Sequence, residues 1–230
     1  ESVLIIDFGS QVTKLIARRI RELGVFSRII PYDKVSKKTI NQENIKGVIF
    51  SGGPKSVNER NSPRILPFIY DSNIPILGIC YGLQLISKNF GGIISPSDDR
   101  EFGKTNLFSK KNSPLIDGVV DLKKKHQVWM SHADKVERIP NGFETIASTE
   151  NCQYAIIQNL KKQIFGVQFH PEVVHTKGGK KILENFVKKI CLCKKEWSMK
   201  NFKIEILKEI KKKVGKNKVI CGLSGGVDST

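Results

Sequence analysis

Two short stretches put reactive side chains in unusual surroundings. In GICYG (78–82) a cysteine, Cys80, lies between two glycines, and in GVQFHPEV (166–173) His170 and Glu172 flank a proline. Cysteine, histidine and a carboxylate together suit nucleophilic attack on an acyl carbon. The imidazole takes the thiol proton, and the carboxylate orients the ring and stabilises its cation. In extended backbone, residues two apart project to one side, so His170 and Glu172 point together, and Pro171 keeps His170 extended. An ordinary thiol is only slightly ionised at neutral pH and needs such a neighbour. Alone, Cys80 reads equally well as a small core residue, and His170 as a structural histidine. Together they are most simply explained as a Cys80–His170–Glu172 triad.

The flanking elements must bring these pieces together. Ile76, Leu77 and Ile79 form a strand-like run, and Leu83, Ile86 and Phe90 fall at helical spacing, so a helix is predicted from about Tyr81. Cys80 then occupies a strand-to-helix corner, where Gly78 and Gly82 leave room for a tight backbone. The start of that helix favours a thiolate. The Tyr81 N–H is predicted to bind the oxyanion formed on attack, with a second donor from Gly53 in the SGGP loop (51–54).

Strand-like and helical runs alternate before this corner: VLIID (3–7), a helix from Ser10 to a stop at Gly24, FSRIIPY (26–32), GVIFSGGP (47–54) and a helical stretch near 64–70. That order predicts an α/β fold with a mostly parallel central sheet and flanking helices. Ligands in such sheets gather at the carboxyl ends of the strands, where DFGSQ, SGGP and CYG fall. The middle is more β-like, with GKTNLF, QVWMS, TIAS, YAIIQ and IFGVQF as short strands. A helix is expected from 178 to about 197, and a second amphipathic helix ends at Gly215. NKVICGLSGGVDST then reads as a strand entering a glycine-rich loop.

The composition, 39% hydrophobic and 27% charged, fits a globular chain with a sizeable core, and no apolar run approaches the ~20 residues of a membrane span. The five cysteines are scattered and Cys191-Leu-Cys193 lacks a zinc-site spacing, so no metal site is expected. With no export signal ahead of the first strand, free thiols in a cytoplasmic protein are expected; a short leader with the initiator Met is taken to be missing. Of the net charge of +17, residues 176–218 contribute 15 Lys against 4 Glu. A solvated lysine-rich face accounts for this better than nucleic-acid binding, because arginine is scarce and no recognition motif accompanies the charge.

Read in order, DFGSQ, SGGP, GICYGLQLI, REFG, VWMSHADKV and GVQFHPEVVHT resemble the class I glutamine amidotransferase family, in the branch that serves glutamine-hydrolysing GMP synthetases. The resemblance implies an amidotransferase domain over 1–197. Cys80 would form a glutamyl thioester, with His170 as the proton carrier, Glu172 orienting it, and Gly53 and Tyr81 as oxyanion donors. It further implies that Gln84 and the backbone of Ser131, His132, Ala133 and Asp134 hold the amino-acid end of glutamine.

LSGGVDST resembles the phosphate loop of ATP pyrophosphatases, so 198–230 would be a linker helix, first strand and loop of a truncated second α/β domain. In that loop Ser224, Gly225, Gly226, Val227, Asp228, Ser229 and Thr230 would contact ATP. The intact enzyme would use ATP and magnesium to aminate XMP to GMP as a homodimer, and the amidotransferase domain would need no cofactor. This polypeptide on its own is expected to hydrolyse glutamine at most. Two alternatives stand beside this: another biosynthetic amidotransferase, of the anthranilate-synthase type, or a catalytically silent basic binding module.

Overall fold

A computed structural model of the chain describes residues 1–42, 44–120 and 125–220. The chain divides into two compact units, Glu1–Glu196 and Trp197–Thr230. In the first, nine strands among the described residues form one sheet in the order β2-β1-β3-β4-β9-β8-β7-β5-β6. β1 (Ser2–Asp7), β2 (Phe26–Pro31), β3 (Ile45–Phe50), β4 (Ile76–Ile79) and β9 (Ile164–Val167) run parallel. The antiparallel half comprises β5 (Ile93–Ser109), β6 (His126–Arg138), β7 (Glu144–Ser148) and β8 (Ile156–Asn159), with β8 pairing β9.

The parallel strands are apolar at consecutive positions because helices cover both faces. Val3, Ile5, Ile49 and Leu77 point to one side, under α1 (Thr13–Glu22) and α4 (Gly179–Glu184), whose Ile16, Ile20, Ile182 and Leu183 are buried there. Leu4, Ile6, Val48 and Phe50 point to the other, under α3 (Tyr81–Asn89) with Leu83, Leu85 and Ile86. The α/β class expected from the sequence is borne out, with parallel pairing confined to five of the nine strands.

Several elements differ from expectation for identifiable reasons. α1 starts at Thr13, not Ser10, because Ser10 is spent on a turn: its side chain accepts from Val12 N at 3.2 Å, and Asp7 Oδ1 takes Gly9 N and Thr13 Oγ1. A short helix, α2 (Lys37–Gln42), lies where none was predicted, and the 64–70 stretch holds only a 3₁₀ turn, Pro67–Ile69. β5 and β6 form one long hairpin, so REFG and SHADKV lie in strands.

The helix expected to reach 197 ends much earlier: α4 widens into a π-helical turn, Asn185–Ile190, and stops at Cys191. Cys191 and Cys193 are buried and Leu192 turns left-handed at φ 55°, so the chain leaves the helix to put both thiols into the core. In the second unit, α5 (Met199–Val214) is capped by Ser198, which accepts from Asn201 N, and it ends at Gly215 as expected. Val219 and Ile220, expected in a strand, are irregular; residues 221–230, with Cys221 and the whole glycine-rich loop, lie outside the described residues.

At the corner between β4 and α3 the two glycines are sterically required. A Cβ on Gly82 would sit 2.5 Å from the Phe50 carbonyl oxygen, and one on Gly78 would sit 2.6 Å from the Gly82 carbonyl carbon. Both obstacles are backbone and cannot rotate away. Gly82→Ala should therefore cost about 3 kcal/mol, at the upper end for overpacking. Urea unfolding checks this, and a wild-type midpoint in that variant would contradict the packing argument.

Candidate active site

Cys80 is the residue between β4 and α3, with φ 52° and ψ −104°, a conformation that side-chain-bearing residues avoid. Its N–H donates to Val167 O at 2.8 Å, extending the β4–β9 pairing by one residue, and its carbonyl accepts from Gln84 N as the first turn of α3. The corner conformation turns the sulfur toward the sheet's carboxyl edge. There the Cys80 thiol lies 3.6 Å from the Ser131 carbonyl oxygen, and Gln168 Nε2 donates to Sγ at 3.6 Å.

The chain leaving β9 supplies the other groups. His170 N donates to Trp129 O at 3.0 Å, and Thr176 Oγ1 donates to His170 O while accepting from Trp129 N, so this segment is stitched to β6. His170 Nδ1 lies 2.8 Å from Glu172 Oε1, and both side chains are buried. Burial disfavours the charged imidazole, but hydrogen bonds to the Cys80 and Glu172 side chains outweigh it, and the His170 pKa is pushed up to about 10. Arg19 of α1 reaches across to donate to the Glu172 carbonyl at 3.1 Å. The three residues of the sequence-predicted triad thus lie together.

Gly53 and Tyr81 flank the sulfur. Among the described residues neither backbone N–H has a backbone partner. A Cβ on Gly53 would meet Phe8 O at 2.9 Å and the Tyr81 ring at 3.2 Å, so only glycine lets the SGGP loop come this close. The Tyr81 ring packs on Phe8 and its hydroxyl donates to Pro63 O; burial pushes its pKa up to about 12, which keeps it a neutral donor.

A pocket of about 460 Å³ opens beside Cys80, lined by Gly53, Tyr81, Gln84, Phe102 and the 131–134 segment. Gln84 spends its amide nitrogen inward, donating to Asp134 O at 2.8 Å and Gln168 Oε1 at 3.3 Å. Asp134 Oδ2 is buried with no partner among the described residues. The His132 ring points away: Nδ1 lies 3.0 Å from Asp134 O and Nε2 3.3 Å from the buried Glu101 carboxylate, which also accepts from Thr149. Ser131 and Ala133 face the pocket edge and are exposed. A second depression of about 370 Å³ touches the other side of Cys80, against Gln11, Trp129, His170 and Val173.

Gln168, Glu101 and Arg19 are site residues that the sequence reading missed. REFG and GVQFHPE contain the first two, and polar residues embedded in apolar strand-like runs were the available signal. Ser224, Gly225, Gly226, Val227, Asp228, Ser229 and Thr230 lie outside the described residues. Among the described residues no cluster of His, Cys, Asp or Glu could hold a metal ion, and no helix is long and apolar enough to cross a membrane.

Because folding raises the His170 pKa from its ordinary 6.5 to about 10, protonated His170 stabilises the fold fully below pH 6.5, and that contribution is lost as pH rises toward 10. Between pH 6 and 10 the unfolding free energy of the wild type should fall relative to that of His170→Gln. A pH-independent difference between the two would contradict the raised pKa.

Comparison with known proteins bears on the same residues. The family model for glutamine amidotransferase class-I matches residues 4–190. Curated relatives named GMP synthase [glutamine-hydrolyzing] are 51% identical in Caldicellulosiruptor saccharolyticus and 48% identical in Agrobacterium fabrum, each over 230 residues, 100% of this chain and 44% of the relative. The chain thus spans less than half the length of these relatives. A crystal structure from Thermoplasma acidophilum, provisionally named as one subunit of a GMP synthase, is 32% identical with a TM-score of 0.72, covering 90% of this chain and 97% of that one. A glutamine amidotransferase structure from Thermotoga maritima shares the fold at 17% identity, with a TM-score of 0.62 over 91% of this chain and 85% of that one. The resemblance read from the motifs is borne out: the chain belongs to the class-I glutamine amidotransferase family.

Proposed function

We propose that this chain hydrolyses glutamine at Cys80 and that, in the longer protein of which its relatives are examples, the ammonia aminates XMP to GMP. The observation that carries the reading is the meeting of Cys80, His170 and Glu172 at the ends of two paired strands, beside a pocket of about 460 Å³. Cys80 and His170 share one proton, which rests on the imidazole whose Nδ1 is held by Glu172, and the Cys80 thiolate attacks the carboxamide carbon. The resulting oxyanion accepts from the Gly53 and Tyr81 N–H groups. The His170 proton then goes to the leaving nitrogen, releasing ammonia and a glutamyl thioester. Water, deprotonated by His170, cleaves the thioester to glutamate and restores the thiol.

The pocket chemistry supports an amino-acid substrate. Asp134 lines the pocket with a carboxyl group, the chemistry that an α-ammonium requires, and Gln84, with its nitrogen engaged, keeps only its carbonyl oxygen for a ligand. ATP and magnesium belong to the part of the reading that concerns 224–230 and the remainder of the longer protein, with a cytoplasmic homodimer as the working form. This rests on the resemblance and on the names of the relatives.

Cys80→Ala should abolish glutamine hydrolysis while leaving ammonia-dependent GMP formation intact in a full-length protein. Retained hydrolysis would refute the nucleophile assignment. Asp134→Asn should raise KM for glutamine about tenfold or more with kcat little changed, the signature of lost ground-state binding. Steady-state assays give both, and an unchanged KM would remove Asp134 from the ligand site.

A further inference from the structure

Gln168 is fully buried and has no part in the triad, yet its side chain touches the proposed nucleophile. A buried amide presents either a donor or an acceptor to a neighbour, and the two have opposite effects on a sulfur that must ionise. The surrounding hydrogen bonds fix which one it is. The Asp134 carbonyl can only accept, so Gln84, 2.8 Å away, must turn its NH2 toward it. That same nitrogen lies 3.3 Å from Gln168, so the atom it meets there must be the acceptor Oε1. Gln168 is then left with its NH2 facing Cys80 Sγ at 3.6 Å. The backbone supports the arrangement: Gln168 N donates to Ala155 O at 2.9 Å, and Cys80 N donates to Val167 O, the residue before Gln168.

Resting on the proposed function, we infer that Gln168 is a further catalytic residue: a relay from Asp134 O through Gln84 delivers its Nε2–H to Cys80 Sγ and stabilises the thiolate that attacks glutamine. A thiolate is a far better acceptor than a thiol, so this donor favours the ionised form. The neighbour on the other side works the opposite way. The Ser131 carbonyl, 3.6 Å from Sγ, accepts from the thiol but offers nothing to the thiolate. In the form with the shared proton on His170, that contact has no value and the Gln168 donor has its full value. The relay also explains why the position carries an amide. A carboxylate at 168 would repel the thiolate, and an apolar group would leave the Gln84 nitrogen short of an acceptor. Two members of the relay, Gln84 and Asp134, line the pocket, so one hydrogen-bonded unit joins the substrate wall to the nucleophile.

The test is the pH dependence of Cys80 alkylation by iodoacetamide in the full 230-residue chain, followed by peptide mapping. Burial holds Cys152 and Cys193 as neutral thiols, with pKa values pushed up to about 12 and about 11, and raises that of Cys191 as well, so among the described cysteines the label reports Cys80, and peptide mapping separates it from Cys221. In Gln168→Leu the midpoint should rise by about one pH unit and alkylation well below the midpoint should slow about tenfold, with the high-pH plateau kept. Gln168→Glu should slow it at least as much. Gln84→Leu, which frees the Gln168 amide to turn, should shift the midpoint the same way. A wild-type midpoint in Gln168→Leu overturns the inference; if that variant does not fold, a wild-type midpoint in Gln84→Leu does so instead. No Cys80 alkylation in the wild type at any pH would sink the proposed function itself, and a merely structural role for Gln168 would lower the plateau without moving the midpoint.

Discussion

The hydrogen bond from Cys80 N to Val167 O is the contact on which the site depends. It carries the parallel pairing of β4 and β9 one residue past the last strand position, so that position 80 sits opposite the residues that follow Val167. From there the polypeptide diverges sharply. Cys80 adopts φ 52° and turns into α3, while the other chain segment runs on through Gln168 to His170. A side-chain-bearing residue in that conformation costs of order 1–3 kcal/mol, which the fold must offset elsewhere. It does so by close approach: Gly82 brings α3 against the Phe50 carbonyl, and Gly166 on β9 lets Leu83 pack directly onto the sheet. The strained corner is clamped between two buried strands and a helix with no room to relax.

The same pairing creates the electrostatic setting. An imidazole that is nine-tenths buried would ordinarily be neutral, since burial disfavours the cation. Here Glu172, itself 1% exposed, holds one ring nitrogen at 2.8 Å and leaves the other for the sulfur. Arg19 acts on the Glu172 main chain and not on its carboxylate, so it positions the loop without competing for the oxygen that meets His170. Similar economy appears behind the pocket. Glu101 and His132, both buried, form a second acid–imidazole pair, but its ring faces the Asp134 carbonyl and away from the sulfur. Two chemically alike pairs thus serve different ends, and the difference lies in which atom the free ring nitrogen meets.

How much of this the sequence made legible follows from the range of each interaction. The corner at Cys80 was readable because its causes are local: apolar residues, then glycines two positions either side of the cysteine, then helical spacing. The His170–Glu172 contact was readable because an extended chain puts i and i+2 on one side. The Gln168–Cys80 contact spans 88 residues, and the Glu101–His132 contact spans 31; both depend on strand register, which no local pattern states. The hairpin of β5 and β6 was underestimated for a related reason. Its polar residues read as turns, yet Glu101 and His132 are polar and buried because they satisfy each other across the pair. The early end of α4 hinged on Cys191 and Cys193 seeking the core, a tertiary preference that overrides helical spacing.

The net charge of +17 bears little on the pocket, and the reason is the size of the fields involved. Exposed lysines are screened over roughly 8 Å at physiological ionic strength. An amino acid such as glutamine carries no net charge, so a uniform positive potential neither attracts nor repels it as a whole. Recognition then falls to groups close enough to feel each end separately. Among the described residues, Asp134 supplies a buried negative oxygen without a partner, and the N–H groups of Gly53 and Tyr81, free of backbone partners, supply local positive potential beside the sulfur. These groups act at contact range, well inside the distance over which surface lysines are screened. On the proposed reading the lysine excess can therefore drift with composition without altering the groups that line the pocket.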